Sequence, residues 1–216
     1  MIVTNKDLRK CNSLQIDVKA KYYMECKTDS DIEEAFNFVK KNKIKFLVLG
    51  EGTNVVFTKP YEGLIIKNLF KKEKKIYKNK VKVSSGYNWD RFVTFCIKNS
   101  LYGLENLSGI PGTVGAGPIQ NIGAYGEEIS DYIEHIEVFN FKTGNIEILN
   151  NKNCNFDYRN SLFKKDKHLF IKNIFFKLKD KFIANNSYKD LQVYRFNKAS
   201  ELRKSILKIR NQKLEN

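Results

Sequence analysis

From Gly103 to Gly126 the chain reads G-L-E-N-L-S-G-I-P-G-T-V-G-A-G-P-I-Q-N-I-G-A-Y-G. This stretch holds seven of the 12 glycines and two of the three prolines, Pro111 and Pro118. Glycine loses more backbone entropy on folding than any other residue, so a concentration of it marks positive φ angles or close backbone approaches. Successive backbone N–H groups turned toward one point form a concavity that suits a phosphate or pyrophosphate. A plain surface loop is the competing reading, because loops favour Gly and Pro in general. The few charges in the stretch, and its apolar Leu104, Leu107, Ile110, Val114, Ile119 and Ile122, suit a partly buried loop instead.

The rest of the composition narrows the possibilities. A chain of 216 residues with 42% hydrophobic content can bury a core in one large domain or two small ones. No run approaches the ~18 apolar residues of a membrane span, and Met1–Asp7 has no signal-peptide core. Cys11, Cys26, Cys96 and Cys154 are widely spaced, and His135 and His168 are the only histidines. No metal site is expected from them, and reduced thiols in a cytoplasmic protein are. The net charge of +15 invites a nucleic-acid reading, yet 33 of the 39 basic residues are lysine. Arginine is the usual reader of phosphates and bases, so the charge is read as an aid to anionic ligands, with no nucleic-acid partner.

Taken in order, the pattern is α+β. Tyr22–Lys27 reads as a strand, and Ser30-Asp31-Ile32-Glu33 as a capping box. Ile32, Ala35, Phe36 and Val39 then share one helix face. Phe46–Leu49 reads as a buried strand that ends in Gly50-Glu51-Gly52-Thr53-Asn54, and Val55–Phe57 as a return to extended chain. Val55 replaces the third glycine of a dinucleotide fingerprint, so that fingerprint is rejected. The turn can still offer Gly52, Thr53 and Asn54 to a phosphate; a plain turn between strands fits equally well. Lys71-Lys72-Glu73-Lys74-Lys75 reads as a solvated loop. Val81, Val83 and Ser85 alternate as a strand, and Trp89, Phe92, Val93 and Cys96 fall on one helical face with Trp89 in the core. Ile133–Phe141 and Ile146–Leu149 form a hairpin, and Phe170–Leu178 another strand. Ser200 is expected to cap a helix with Leu202, Ile206 and Ile209 inward, and Arg203 and Arg210 on other faces. Tyr158-Arg159 lies between strands, where it is either a surface ion pair or a cation facing developing negative charge.

These residues together resemble one family. Leu49–Asn54, Gly103–Leu107, Ile110–Gly115, Pro118–Gly126 and Tyr158-Arg159-Asn160-Ser161 follow, in order and at compatible spacing, the motifs of the UDP-N-acetylenolpyruvoylglucosamine reductases, in the branch with the longer substrate loop. The resemblance implies a two-part FAD-binding module of the vanillyl-alcohol-oxidase type. Residues 1–67 would form its small α/β part and 68–196 its larger α+β part. Residues 197–216 would be a helix leading toward a substrate-binding domain. FAD would be held non-covalently: Gly50, Glu51, Gly52, Thr53, Asn54, Pro111, Gly112, Thr113 and Gly115 around the pyrophosphate, and Asn121, Gly123, Ala124 and Tyr125 along the flavin. NADPH would be the hydride donor, and an enolpyruvyl ether of a UDP-sugar the substrate. Arg159 matches the catalytic arginine and Tyr188 the loop tyrosine over substrate, with Tyr158 beside them. Arg210 and Lys213 match basic residues near the bound nucleotide.

The match has departures. Ser13-Leu14-Gln15 and Ala116-Gly117 differ from the usual family residues, and the Gly-Ser-Phe-Phe-Lys-Asn-Pro motif that carries the proton donor is not found in residues 1–216. The expectation is therefore the FAD-binding portion of such a reductase, either truncated or encoded separately from a partner that supplies the substrate-binding domain. Two alternatives are a flavin-binding remnant without reductase activity and another oxidoreductase of the same fold.

Overall fold

The computed structural model describes residues 1–70 and 74–214. Residues 3–68 build a four-stranded sheet in the order β1-β2-β4-β3. Its strands are β1 (Val3–Asp7), β2 (Lys19–Cys26), β3 (Phe46–Leu49) and β4 (Tyr61–Asn68). β4 pairs in parallel with both β2 and β3, while β1 runs antiparallel at the edge. The centre of β4 is buried on both faces, as a parallel strand usually is. Leu64 and Ile66 pack with Met24, Cys26 and Ile32, and Ile65 packs on the other side with Leu8, Tyr23 and Leu49. Helix α1 (Asp29–Asn42) connects β2 to β3 and buries Ile32 and Ala35. Its capping box is Thr28 with Asp31, two residues ahead of the expected Ser30 pair. Asp31 Oδ2 accepts from the Thr28 and Lys27 amides, and this fixes the start.

The second sheet is antiparallel throughout, in the order β10-β9-β11-β6-β5. It contains β5 (Lys74–Tyr77) and β6 (Lys80–Ser84), then β9 (Ile133–Asn140), β10 (Asn145–Asn150) and β11 (Leu169–Lys177). Helix α2 (Trp89–Lys98), capped by Asn88 Oδ1 on the Arg91 amide, buries Trp89, Phe92, Val93 and Cys96 against it. Trp89 is a core residue whose indole N–H donates to Leu107 O at 2.8 Å. Phe139, Phe141 and Phe170 of this half pack into the core of the first sheet, so the two sheets share apolar contacts. The glycine-rich segment, carrying the minimal hairpin β7 (Gly123–Ala124) with β8 (Glu127–Glu128), closes one end. The short α3 (Leu162–Lys165) precedes β11, and α4 (Ala199–Leu214) ends the described chain, with Leu202 and Ile206 buried against Tyr125 and Leu191.

Several local expectations change. Val55–Phe57, read as a return to extended chain, carries no strand, and the next strand after β3 is β4 from Tyr61. Ser200 lies inside α4, which begins at Ala199. Lys71–Glu73 falls outside the described residues, and Lys74-Lys75 opens β5 where a loop was expected. All four cysteines are buried free thiols. Among the described residues, no helix is long and apolar enough to cross a membrane.

Candidate cofactor site

A cleft of about 690 Å³ opens between the exit of β3 and the glycine-rich segment. One wall is Gly50, Glu51, Gly52, Thr53 and Asn54; the other includes Ile110, Pro111, Thr113, Ile119 and Gln120. The first wall is tight by construction. Gly52 has φ +74°, and a Cβ there would collide with the Cys11 carbonyl oxygen. The Ser13 amide and hydroxyl both donate to Gly52 O and hold the loop from behind. The amides of residues 51–54 donate to no acceptor among the described residues. Gly52 is buried while Glu51, Thr53 and Asn54 are exposed, so these amides are free to meet an anionic group entering the cleft that their residues line.

The two walls are tied across the mouth. Asn54 Nδ2 donates to Gln120 Oε1 at 2.9 Å, and Asn88 Nδ2 to Glu51 Oε1 at 3.0 Å. A Cβ on Gly50 would sit 2.9 Å from Thr113 Oγ1, so a side chain there would force Thr113 to shift. Gly112 has φ +117° and faces the Thr53 hydroxyl. Lys67 donates to Gly50 O, and Lys164 and Lys167 line the far end, adding positive charge. Apolar Phe46, Val48, Phe163 and Leu169 offer flat and aliphatic surface beside them. The donor run, the lysines and the apolar walls fit a dinucleotide with a pyrophosphate in its middle.

The other expected cofactor residues have different placements. Gly115 donates to Ser85 O at 2.8 Å, and a Cβ on it would meet Ser85 Cβ at 2.5 Å, so it lets the loop lie on the strand end. Asn121, buried with φ +45°, donates to Glu128 Oε2 at 2.7 Å and Asp157 O at 3.2 Å, and accepts from the Ser130 amide. Gly123 and Ala124 form β7, and Tyr125 and Gly126, at φ +51° and +86°, make its turn. Positive φ at both positions is the signature of a tight two-residue hairpin.

Arg159 stands beside this hairpin. Its guanidinium donates to Asn121 O at 3.3 Å and Gly123 O at 2.6 Å, and stacks over the exposed Tyr158 ring at 5.4 Å. A second group gathers against α4. Tyr125 meets Tyr188 edge to face at 5.1 Å, and Lys213 Nζ lies 5.5 Å from the Tyr188 ring while pairing with Asp190. Burial pushes the Tyr125 hydroxyl pKa up against the pull of Arg210 and Lys213. Thus Tyr125, Tyr188 and Lys213 come together, with Arg210 packed against Gly109.

Sequence reasoning missed Lys67, Asn88, Gln120, Lys164 and Lys167. Asn88 carried a signal, as an N-cap residue directly before an apolar helical pattern. The lysines carried none, because only the fold brings them to the cleft.

Comparison with known proteins agrees with this geometry. A family model described as FAD binding domain matches residues 20–150. UDP-N-acetylenolpyruvoylglucosamine reductase of Buchnera aphidicola subsp. Baizongia pistaciae is 36% identical over 97% of this chain and 65% of its own length. The protein of the same name from Polynucleobacter asymbioticus is 38% identical over 88% of this chain and 56% of its own length. The chain therefore spans less than two thirds of these relatives. The crystal structure of UDP-N-acetylenolpyruvylglucosamine reductase from Thermus caldophilus superposes with a TM-score of 0.72 at 20% identity, over all of this chain and 70% of that one. Physcomitrella patens BBE-like 1 superposes at 0.63 and 12% identity, over 83% of this chain and 42% of that one. These likenesses give the fold, an α+β two-part module of the vanillyl-alcohol-oxidase type. The chain belongs to the FAD binding domain family, and its sequence relatives there are UDP-N-acetylenolpyruvoylglucosamine reductases.

Proposed function

We propose that the chain holds FAD non-covalently and serves the NADPH-dependent reduction of a UDP-sugar enolpyruvyl ether, a step toward peptidoglycan. The run of unpaired amides at residues 51–54, lining a cleft with three lysines near it, carries this reading. FAD, when bound, supplies the two-electron hydride relay between donor and substrate. Residues 50–54, Pro111 and Thr113 would hold its pyrophosphate end, while Asn121, through its ties to Glu128 and Asp157, would keep the β7–β8 hairpin in shape beside it. We take residues 1–67 and 68–196 as the two halves of the module and 197–216 as a helical arm.

Arg159 supplies the charge the reaction needs. Hydride addition to the enolpyruvyl carbon drives negative charge onto the substrate carboxylate. A guanidinium fixed to two backbone carbonyls, partly shielded from water, stabilises that charge without reorganising. Tyr158 and Tyr188 present aromatic surface, and Arg210 and Lys213 positive charge, to a nucleotide diphosphate. A cytoplasmic setting agrees with the buried free thiols and with a sugar-nucleotide substrate.

The test has two stages. FAD is titrated into the purified chain and released by denaturation. NADPH-dependent flavin bleaching and substrate-dependent recovery are then followed without oxygen, with and without the C-terminal part of a full-length relative. Absence of FAD binding would defeat the whole reading. Bleaching without recovery in either arrangement would leave a flavin-binding protein and no reductase.

A further inference from the structure

Asp90 occupies a junction that the reading above does not use. It is the second residue of α2, and both carboxylate oxygens take the guanidinium of Arg203, at 2.6 Å from Nη1 and 2.7 Å from Nη2. Oδ1 also accepts the Gly109 amide at 2.7 Å. One carboxylate thus bonds two separate elements: α4 through Arg203 and the glycine-rich segment through Gly109.

The face of α4 that it holds matters. Arg203, Leu207 and Arg210 follow one another at i, i+4 and i+7, and Lys213 continues the same stripe. Gly109, at φ +71°, lies against that stripe: a Cβ on it would meet Leu207 Cδ2 at 2.7 Å and Arg210 Nε at 3.2 Å. Leu202 and Ile206 hold α4 to Tyr125 and Leu191 by apolar contact, which is non-directional. A bidentate guanidinium–carboxylate pair is directional and fixes rotation about the helix axis. The next residues after Gly109, Ile110 and Pro111, line the cleft.

We propose that Asp90 is a positioning residue for the nucleotide end of the substrate: it sets the roll of α4, and so the placement of Arg210 and Lys213, relative to the loop that lines the FAD cleft. This rests on the assignment of Arg210 and Lys213 to substrate given above. A 1 Å misplacement of binding groups can cost up to about a hundredfold, and a roll of α4 displaces both cations together.

The experiment measures binding of UDP-N-acetylglucosamine, as probe, to the FAD-loaded chain by calorimetry. Kd for the probe, Kd for FAD and Tm are compared for the natural chain, Asp90→Asn and Arg203→Lys. Asp90→Asn keeps the shape and an acceptor for Gly109, and Arg203→Lys keeps the charge without the fork. The expected result is a probe Kd about tenfold weaker in Asp90→Asn and weaker by a smaller factor in Arg203→Lys, with FAD Kd within about twofold. Two results overturn the proposal: an unchanged probe Kd in both variants, or FAD and probe affinities falling together in step with Tm. A natural chain that binds FAD but no probe removes the substrate assignment itself, and is recognised before any variant is made.

Discussion

Arg159 donates from Nη2 to the carbonyl oxygen of Gly123 at 2.6 Å. The same guanidinium reaches Asn121 O, so one planar cation spans two carbonyls of the glycine-rich segment. Its own backbone is left-handed, at φ +50°, in a turn closed by the Asp157–Asn160 pairing. That conformation costs about 1–2 kcal/mol for a residue with a side chain, and it aims the guanidinium at the hairpin. Lysine keeps the charge but cannot span both oxygens. Arg159→Lys is expected to slow substrate-dependent recovery of the bleached flavin ~100- to 1000-fold, with FAD Kd changed far less. Stopped-flow absorbance with a complementing C-terminal domain reads this directly, and an unaltered recovery rate removes Arg159 from the chemistry.

Gly52 and Gly112 separate two demands on the cleft. Both have positive φ, but a Cβ on Gly52 would strike backbone, whereas one on Gly112 would meet only the Thr53 hydroxyl, at 3.3 Å. Gly52→Ala is expected to cost more than about 2 kcal/mol in stability, from strain plus collision, and to abolish FAD retention. Gly112→Ala is expected to cost about 1–2 kcal/mol and to weaken FAD through Thr53. Urea unfolding and flavin fluorescence on both variants test the order; equal losses would contradict it.

The sequence carried these glycines plainly and the strands around them unevenly. Helix α2 was legible because Trp89, Phe92, Val93 and Cys96 keep helical spacing. Strand β5 was not. Lys74-Lys75 is exposed, as solvated charge should be, but it forms a strand in which Lys74 Nζ lies 4.3 Å from the Phe95 ring centroid and hydrogen-bonds the Tyr87 hydroxyl. Cross-strand and cation–π contacts of that kind depend on partners distant in the chain. Strand β4 was hidden too: Gly63 breaks its apolar run, and its parallel neighbours are set by crossovers rather than by a local turn. The motifs located the cleft, while the ties across it, from Asn54 to Gln120 and from Asn88 to Glu51, are facts of three dimensions.

Glu105, inside the glycine-rich stretch, is buried with Oε2 accepting the Gly103 amide and Oε1 without a partner among the described residues. Burial pushes its pKa up, and nearby Glu127 adds to this against the pull of backbone amides and Lys179. An acid whose folded pKa exceeds its unfolded value, about 4.3, favours the fold most below that value. The contribution is lost as pH rises through the folded pKa. Glu105→Gln removes that loss, keeps an acceptor for Gly103 and turns the orphan oxygen into a donor. Its Tm is expected to exceed that of the natural chain by about 2–4 °C at neutral pH, and the gap to close toward pH 4. Calorimetry from pH 4 to 8 measures it, and a gap that widens on acidification would refute the assignment.

Lys172 joins helix α1 to the second sheet and sets the last expectation. It lies on β11, its side chain 5% exposed, and its ammonium reaches Asp29 Oδ1 of α1 at 2.6 Å and Glu137 Oε1 of β9 at 3.2 Å. Burial disfavours the charge, but the two carboxylates outweigh it and hold the pKa above the usual lysine value. The pair with Asp29 is unequal, because Asp29 is 66% exposed while the lysine is not. Asp29→Asn removes a solvated charge and is expected to cost at most about 1 kcal/mol. Lys172→Met strands Glu137, which among the described residues keeps Asn173 at 3.2 Å and Lys82 at 3.9 Å, and is expected to cost about 3 kcal/mol. Residues 50–54 follow the first sheet and the glycine-rich segment belongs to the second half, and the Asp29 pair is the ion pair of Lys172 that crosses between them, so FAD affinity should fall in both variants, and further in Lys172→Met. The raised pKa predicts a further asymmetry: the stabilisation is complete below the unfolded lysine value, about 10.4, and disappears as pH climbs through the folded one. Chemical unfolding at pH 8 and pH 11, with FAD titration at pH 8, separates the two variants. Equal costs for both would mean that Lys172 is held by packing and that its charge joins nothing.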